Sequence, residues 1–199
     1  MEYPLPAFYI NLDRRKDRRE EFTREAAALG FPVERFPAIE RSPGILGCGL
    51  SHLAVLKLAK ERQLPAVLIF EDDFELLVSP EEFKNQLTAA IAEEGSWDVL
   101  MLSYHLNASA PHSDRLLKVL DGQTASGYIV HSRFYDTLIS LYESAMTSLE
   151  KTGRHWDYAN DQVWKQLQPK AAWYAFKTRL GRQRASFSDN TGTFMNYGI

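Results

Sequence analysis

The hydrophobic pattern alternates short apolar runs with longer segments of helical periodicity, and this alternation predicts an α/β sheet. Residues Ala7 to Leu12 are predicted to form the first strand. The run Ala66 to Phe70 is apolar throughout and rich in β-branched and aromatic residues, which predicts a central strand buried on both faces. Further strands are predicted in 33–39, 97–103, 115–132 (two strands around Gly122) and 171–180.

Five segments carry the periodicity of helices, namely 13–30, 50–63, 79–94, 133–151 and 157–168. The first is expected to be capped by Asp13 and stopped by Gly30. The third begins with Ser79 as its cap and Pro80 at the first helical position. Loops are expected in the glycine-rich segment before residue 50, over 104–114 and beyond residue 180.

Length and charge narrow the class of protein. The 199 residues are enough for one well-buried domain, 1–199, and few for two. A net charge of −3 argues against a general nucleic-acid-binding protein. The single cysteine, Cys48, excludes an internal disulfide framework and suits a reducing compartment. The first residues lack the pattern of a signal peptide, and no apolar run approaches the ~20 residues of a membrane-spanning helix, so a soluble, cytoplasmic protein is expected.

Three adjacent carboxylates, Glu71, Asp72 and Asp73, follow the predicted central strand directly. In an extended segment Glu71 and Asp73 would project to one side and Asp72 to the other. Crowded carboxylates repel one another unless a cation or a proton lies between them, and such oxygen ligands suit Mg²⁺ or Mn²⁺ shared with a substrate phosphate. A solvated surface turn is the alternative, so the triplet predicts a metal site only in company with other features.

Two further segments supply candidate companions. RRKDRR (14–19) places five positive side chains at the start of the first helix. A positive charge there interacts unfavourably with the helix dipole and destabilises the helix by ~0.3–1 kcal/mol, unless a bound anion compensates for it. A solvated basic face is the alternative. In GILGCGLSH (44–52) the glycines allow close backbone approach, and Ser51 and His52 are expected in the first turn of the next helix, where they can face a ligand. An ordinary turn before a helix, with His52 in a structural role, is the alternative. Cys48 is expected to be a packed small hydrophobe.

Together, FYINLDRRKDRR, GCGLSHL and VLIFEDDFEL resemble the signature of glycosyltransferase family 25, which contains bacterial lipopolysaccharide sugar transferases and procollagen galactosyltransferases. The resemblance continues through ASGYIVHSRFYDTLI, DYANDQVW and GRQRASFSDN, in the same order and spacing over nearly the whole chain. The chain departs from the family pattern in two respects. The usual aromatic residue shortly after the Ser-His pair is absent, and the short length puts acceptor-binding insertions in doubt.

The resemblance implies a GT-A type, Rossmann-like fold with a mostly parallel central sheet and flanking helices, which binds a nucleotide-sugar and Mn²⁺ (or Mg²⁺). The acidic triplet would be a variant Asp-x-Asp motif, with Glu71 and Asp73 as the metal ligands. The residues that the resemblance places at the donor are Asn11, Arg14, Arg18, Ser51, His52, Asp72, Gly127, Tyr128, Gln183, Arg184, Ser186 and Asp189.

The family is regarded as inverting, so one general base must take the proton of the acceptor hydroxyl. Asp161 is the candidate, because aromatic neighbours would desolvate it and raise its pKa. Asp157 is a second candidate, and a purely structural Asp161 that caps or pairs within its helix is the alternative. The expected reaction moves a hexose, by default galactose from UDP-galactose, to a glycan or lipid-linked saccharide such as lipopolysaccharide. A lipid-linked acceptor would bring the protein to the inner face of a membrane.

Two other functions would use the same features. A non-catalytic nucleotide-sugar-binding module would keep the donor site without a functional base. A metal-dependent phosphohydrolase would release phosphate without an acceptor, but the Asp-x-Asp-x-Thr/Val pattern of its nucleophile is not present in EDDFE.

Overall fold

The computed structural model describes residues 4–93, 95–188 and 192–196. The strands in these ranges are β1 (Ala7–Asn11), β2 (Glu34–Pro37), β3 (Ala66–Glu71), β4 (Phe74–Leu76), β5 (Val99–Met101), β6 (His105–Pro111), β7 (Leu116–Gln123), β8 (Gly127–His131), β9 (Trp173–Phe176), β10 (Gly181–Gln183), β11 (Ser186–Ser188) and β12 (Thr193–Met195). The α-helices are α1 (Lys16–Leu29), α2 (Gly44–Glu61), α3 (Pro80–Glu93), α4 (Tyr135–Thr152), α5 (His155–Tyr158) and α6 (Asn160–Val163).

Eight of these strands form one sheet in the order β2-β1-β3-β8-β5-β9-β7-β6. β1 pairs in parallel with β2 and β3, and β5 pairs in parallel with β9. β8 is antiparallel to β3 and β5, and β7 is antiparallel to β9 and β6. All strands except β7 and β8 therefore run in one direction, and the predicted α/β fold with a mostly parallel central sheet is confirmed. β4 pairs with β10 and β11 with β12 outside this sheet.

Apolar side chains cover both faces of the sheet. Val67 and Ile69 of β3 belong to one core with residues of α2 and α4, whereas Leu68 and Phe70 belong to the opposite core with residues of α1 and α3. This alternation confirms the prediction of a strand buried on both faces. Each such side chain contributes about 1.5–3 kcal/mol when fully buried, so the strands and the residues at their ends are firmly positioned.

Helix α1 is attached to the sheet by Phe22, whose ring stacks on Tyr9 with centroids 4.5 Å apart. Arg18 lies one turn before Phe22 on the same helix face, which directs it to the edge where β1 and β3 end. The predicted cap is wrong: α1 begins at Lys16 without a side-chain cap bond, and Asp13 instead accepts a hydrogen bond from Arg35. The predicted stop is confirmed, because Gly30 ends the helix with φ 74°.

The glycine-rich segment before residue 50 is helical, so the expected loop is wrong. α2 begins at Gly44, and Ser51 and His52 therefore lie in its interior rather than in its first turn. A Cβ at Gly47 would be 2.3 Å from the backbone oxygen of Ile39, and one at Gly49 would be 2.3 Å from Sδ of Met146. These two glycines are needed for close packing of the helix.

Other boundaries also differ from the predictions. The expected loop 104–114 contains the edge strand β6, most of whose residues are exposed. The expected helix 157–168 is divided between the short helices α5 and α6 and a 3-10 turn. The C-terminal part, expected to be loop, contributes β10, β11 and β12. The start of α3 is as predicted, with Ser79 Oγ accepting a hydrogen bond from the Glu82 N–H at 3.1 Å.

Among the residues that the structure describes, no helix combines the length and apolar character needed to cross a membrane.

Candidate active site

A cavity of about 320 Å³ lies at the edge where β1 and β3 end. This volume is in the range of small-molecule sites, about 300–1,000 Å³. The walls come from the start of α1, the segment 38–42, the first half of α2, the acidic triplet and β10. The predicted site residues that line it are Arg14, Arg18, His52, Glu71, Asp72, Asp73 and Gln183.

Two carboxylates of the triplet share one cation. Arg18 donates from Nη1 to Asp72 Oδ1 at 2.8 Å and to Asp73 Oδ2 at 3.1 Å. β3 ends at Glu71 and the chain turns at residues 72–73, so the alternation of an extended strand does not apply. The expectation that Asp72 faces away from its neighbours is therefore wrong. The two carboxylates in turn raise the pKa of Arg18, although burial opposes this.

Asp73 has a carboxylate oxygen without a partner. Its side chain is buried, its Oδ2 accepts hydrogen bonds from Arg18 and from Gln183 Nε2 at 3.2 Å, and its Oδ1 is buried with no hydrogen-bond partner. Burial, followed by the negative charge of Glu71, raises the pKa of Asp73 to about 7. An unsatisfied buried acceptor is costly, and a bound cation would relieve both effects. Asp73 and Glu71 therefore fit a hard divalent cation that prefers oxygen ligands.

The carboxylate of Glu71 contacts two side chains of α2, those of His52 and Cys48. Its Oε1 lies 3.0 Å from Nε2 of His52 and accepts a longer contact, 3.6 Å, from the thiol of Cys48. Burial works to raise its pKa, but hydrogen bonding to His52 prevails and lowers it. The other ring nitrogen of His52, Nδ1, lies 2.9 Å from the hydroxyl of Tyr128. Tyr128 is fully buried, and it reaches the cavity through His52 rather than by lining it.

Cys48, which is expected to be a packed small hydrophobe, is half-buried and lines the cavity. Burial and then the negative charges of Glu71 and Asp161 raise the pKa of its thiol well above the ordinary value. The ligand atoms of Cys48, His52 and Glu71 lie within 4.8 Å of one another. The four-residue spacing of Cys48 and His52 would have signalled this cluster if the segment had been recognised as a helix.

Several predicted donor residues lie behind the cavity, outside its lining. Asn11 Nδ2 donates to Asp72 Oδ2 at 2.7 Å, so it orients that carboxylate. Ser51 donates to the Gly47 carbonyl at 2.7 Å and accepts from the Ile39 N–H at 2.8 Å, which ties α2 to the cavity wall. Direct donor contacts by Asn11 and Ser51 are not supported by these positions.

Arg184, Ser186 and Gly127, which were also predicted at the donor, lie outside the cavity lining as well. The Arg184 guanidinium pairs with Glu21 of α1 at 2.8 Å, and Ser186 Oγ accepts a hydrogen bond from Arg18 Nη2 at 2.6 Å. Both support the cavity rather than line it. Gly127 allows close approach of Phe74, whose ring would be 2.5 Å from an added Cβ. Asp189 lies outside the described residues.

Asp161 lies near the cavity without lining it. Its Oδ2 accepts a hydrogen bond from the Thr124 N–H at 3.1 Å, and its Oδ1 accepts one from Gln162 at 3.2 Å. Burial raises its pKa, as the sequence predicted. Thr124 has φ 86°, which is unusual for a β-branched residue, so the bond to Asp161 also holds the turn before β8. Asp157 forms a surface ion pair with Arg154 at 2.6 Å.

Comparison with known proteins identifies a family match over the middle of the chain. The family described as "Glycosyltransferase family 25 (LPS biosynthesis protein)" matches residues 40–148, more than half of the chain. A Glycosyltransferase 25 family member of Drosophila melanogaster is 31% identical over a stretch covering 33% of this chain and 15% of that protein. A relative from Haemophilus influenzae is 33% identical over 35% of this chain and 32% of its own length.

The fold is also similar to that of a solved protein structure. The crystal structure of a glycosyltransferase involved in the glycosylation of the major capsid of PBCV-1 superposes with a TM-score of 0.55, covering 94% of this chain and 97% of that one. At 11% identity this likeness concerns the fold alone. The matches to the two relatives span less than a third of their lengths, 15% and 32%, so they carry no activity over to this chain. With more than half of its residues matched, the chain belongs to glycosyltransferase family 25, and the predicted GT-A type fold is confirmed.

Proposed function

We propose that the protein is a metal-dependent, inverting glycosyltransferase that moves a hexose from a nucleotide-sugar to a saccharide acceptor. The observation that carries the proposal is the buried, unpartnered oxygen of Asp73, which lies beside Glu71 in a cavity that also contains Arg14 and Arg18. A metal-bound nucleotide-sugar needs carboxylates to hold its cation and arginines to bind its diphosphate, and this cavity contains both kinds of residue. Family membership supports the same chemistry.

The nucleotide-sugar donor is assigned to the cavity, with its metal ion at the acidic residues and its diphosphate at the arginines. Asp73 and Glu71 would hold Mn²⁺ or Mg²⁺, which supplies Lewis-acid stabilisation of the charge on the departing diphosphate. Arg14, which pairs with Glu40 at 2.8 Å, and Arg18, which pairs with Asp72 and Asp73, both line the cavity and would bind the phosphate oxygens. Asp72 is fixed by Asn11 and Arg18, so it can orient the donor without moving. Gln183 closes the opposite wall through its bond to Asp73.

Transfer with inversion needs one base. The acceptor hydroxyl oxygen forms a bond to the anomeric carbon as the bond from that carbon to the diphosphate oxygen breaks, and the nucleoside diphosphate leaves with the electron pair. Asp161 takes the hydroxyl proton in this proposal, supported by its raised pKa and its place near the Glu71 end of the cavity. Asp157 is the weaker candidate, because it is paired with Arg154 at the surface.

The proposed donor is UDP-galactose, and the proposed acceptor is a glycan or lipid-linked saccharide. The family description as a lipopolysaccharide biosynthesis protein supports such an acceptor. An acceptor of this kind would place the protein in the cytoplasm, at the inner face of the membrane.

The test is an activity assay with UDP-, GDP-, ADP- and CMP-linked sugars, Mn²⁺ and a panel of saccharide acceptors. Release of UDP with equal formation of glycosylated acceptor would support the proposal. Release of inorganic phosphate without an acceptor would favour a phosphohydrolase. Nucleotide-sugar binding with no turnover on any acceptor of the panel would favour a binding module.

A further inference from the structure

We propose that Cys48, His52 and Glu71 form a second metal site, which binds Zn²⁺ through a thiolate, an imidazole and a carboxylate. The site adjoins the one assigned to Asp73 but differs from it in ligand chemistry. The proposal does not depend on glycosyl transfer, because it rests on the ligand atoms themselves.

The three ligand atoms are already gathered around one point. Glu71 Oε1 is 3.0 Å from His52 Nε2 and 3.6 Å from Cys48 Sγ, and the ligand atoms of all three residues lie within 4.8 Å of one another. Zinc bonds of ~2.0–2.3 Å at tetrahedral angles place neighbouring ligand atoms ~3.3–3.8 Å apart. Side-chain shifts of about 1 Å or less would therefore bring all three onto one ion.

The two ligands from α2 are rigidly presented. Cys48 and His52 are separated by about one helical turn and so share a face. Gly47 and Gly49 let this part of α2 pack closely on its neighbours, which leaves it little freedom to move. The hydroxyl of Tyr128 binds Nδ1 of His52 and thereby points Nε2 at Glu71. A hydrogen-bonded outer nitrogen is the usual support of a metal-binding histidine.

The ligands Cys48, His52 and Glu71 favour a softer metal ion than the carboxylates of Glu71 and Asp73 alone would. Thiolate and imidazole ligands suit Zn²⁺, whereas Mg²⁺ and Mn²⁺ prefer carboxylates and water. One thiolate and one carboxylate balance the two positive charges of the ion, and the thiol gives up one proton on binding. Cys48 and Glu71 both line the cavity, so a fourth position would open onto it. Sharing Glu71 means that bound Zn²⁺ would compete with the ion assigned to Asp73.

The experiment is a titration of the metal-free protein with Co²⁺, followed by displacement with Zn²⁺. Cys48 is the only cysteine, so a thiolate-to-cobalt charge-transfer band can come from no other residue. We expect one ion per chain, that band, and release of one thiol proton per Zn²⁺ in calorimetry. Cys48→Ser should abolish the band, and Glu71→Gln should weaken binding strongly. Tyr128→Phe, which removes the hydroxyl that supports His52 and leaves all three ligands, should weaken it about 10–100-fold.

Asp73→Asn is the matched control, because it alters the adjoining oxygen site and leaves all three proposed ligands. It should lose Mn²⁺-dependent nucleotide binding and keep the cobalt band, so failure of the two sites can be told apart. The absence of a thiolate band in the folded wild-type protein would overturn the proposal. A band that is indifferent to both Glu71→Gln and Tyr128→Phe would overturn it as well.

Discussion

The guanidinium of Arg18 lies 3.1 Å from one carboxylate oxygen of Asp73, while the other oxygen of Asp73 is buried without a hydrogen-bond partner. One arginine therefore serves two carboxylates, Asp72 and Asp73, and leaves the second only partly satisfied. This arrangement explains how adjacent acids are tolerated at the end of a buried strand. It also defines where an additional cation would stabilise the protein.

Above the Asp73 pKa of about 7, replacing Arg18 with Met should destabilise the metal-free protein by about 3–5 kcal/mol, because it leaves two buried carboxylates without their counter-ion. Urea denaturation with EDTA present measures this change. Arg19→Met is the control: Arg19 is exposed on the same helix, and its loss should cost no more than about 0.5 kcal/mol. Equal, small effects of the two substitutions would contradict the role assigned to Arg18.

The stability of the metal-free protein should fall as pH rises from about 4 to 7. Native Asp73 keeps its proton up to a pKa of about 7, whereas the unfolded residue loses it near the ordinary aspartate pKa of 3.8. Within this window the native state binds more protons, so the free energy of unfolding decreases with pH, by up to roughly 4 kcal/mol. Chemical denaturation across this pH range would reveal the slope. Asp73→Asn should reduce it, and an unchanged slope in that variant would assign it to other groups.

Much of the fold was predictable because it depends on local patterns. The uninterrupted apolar run of β3, the stop of α1 at Gly30 and the start of α3 at Ser79 are each encoded by neighbouring residues. The start of α2 was not predictable in this way. Its glycines are selected by contacts with Ile39 and Met146, which come from other segments. The edge strand β6 carries too few buried residues to show an alternating pattern.

The candidate site was likewise predictable only where neighbouring residues carry the signal. The acidic triplet and the basic segment 14–19 stand out by charge crowding, which signals an unusual environment without any knowledge of the fold, whereas Arg18 itself is singled out only by the family resemblance. The supporting roles of Asn11 and Ser51 were missed because they depend on which way a side chain turns at a strand end or helix face. Cys48 was missed because a lone cysteine gives no signal until His52 and Glu71 are placed beside it.

Gly47→Ala should destabilise the protein by about 1–3 kcal/mol, the usual cost of overpacking. The new Cβ would meet the Ile39 backbone oxygen at 2.3 Å and would push the segment 38–42 at the cavity wall. Thermal denaturation and nucleotide affinity should therefore both report the change. Gly95→Ala, where an added Cβ meets nothing within 4 Å, is the control. A stable Gly47→Ala protein with normal nucleotide affinity would contradict the packing argument.

Asp161→Asn should lower kcat by about 10²–10⁴-fold while leaving nucleotide-sugar affinity nearly unchanged. The amide oxygen can still accept the Thr124 hydrogen bond, so the turn before β8 should persist while the base is lost. Asp157→Asn removes a surface carboxylate and should retain activity. Full activity in Asp161→Asn would leave only its structural role, and loss of activity in Asp157→Asn alone would transfer the base to that residue.

The most direct test of the central claim is a thermal-shift measurement with UDP and UDP-galactose, each with Mn²⁺ and with EDTA, on the wild-type protein and on Asp73→Asn. A ligand at a hundredfold excess over its Kd stabilises the native state by about 2.7 kcal/mol, which corresponds to several degrees for a chain of this size. The account predicts a shift with UDP that disappears in EDTA and in Asp73→Asn. No shift with either ligand in the presence of Mn²⁺, or the same shift in Asp73→Asn, would contradict the assignment of the cavity as a metal-diphosphate site.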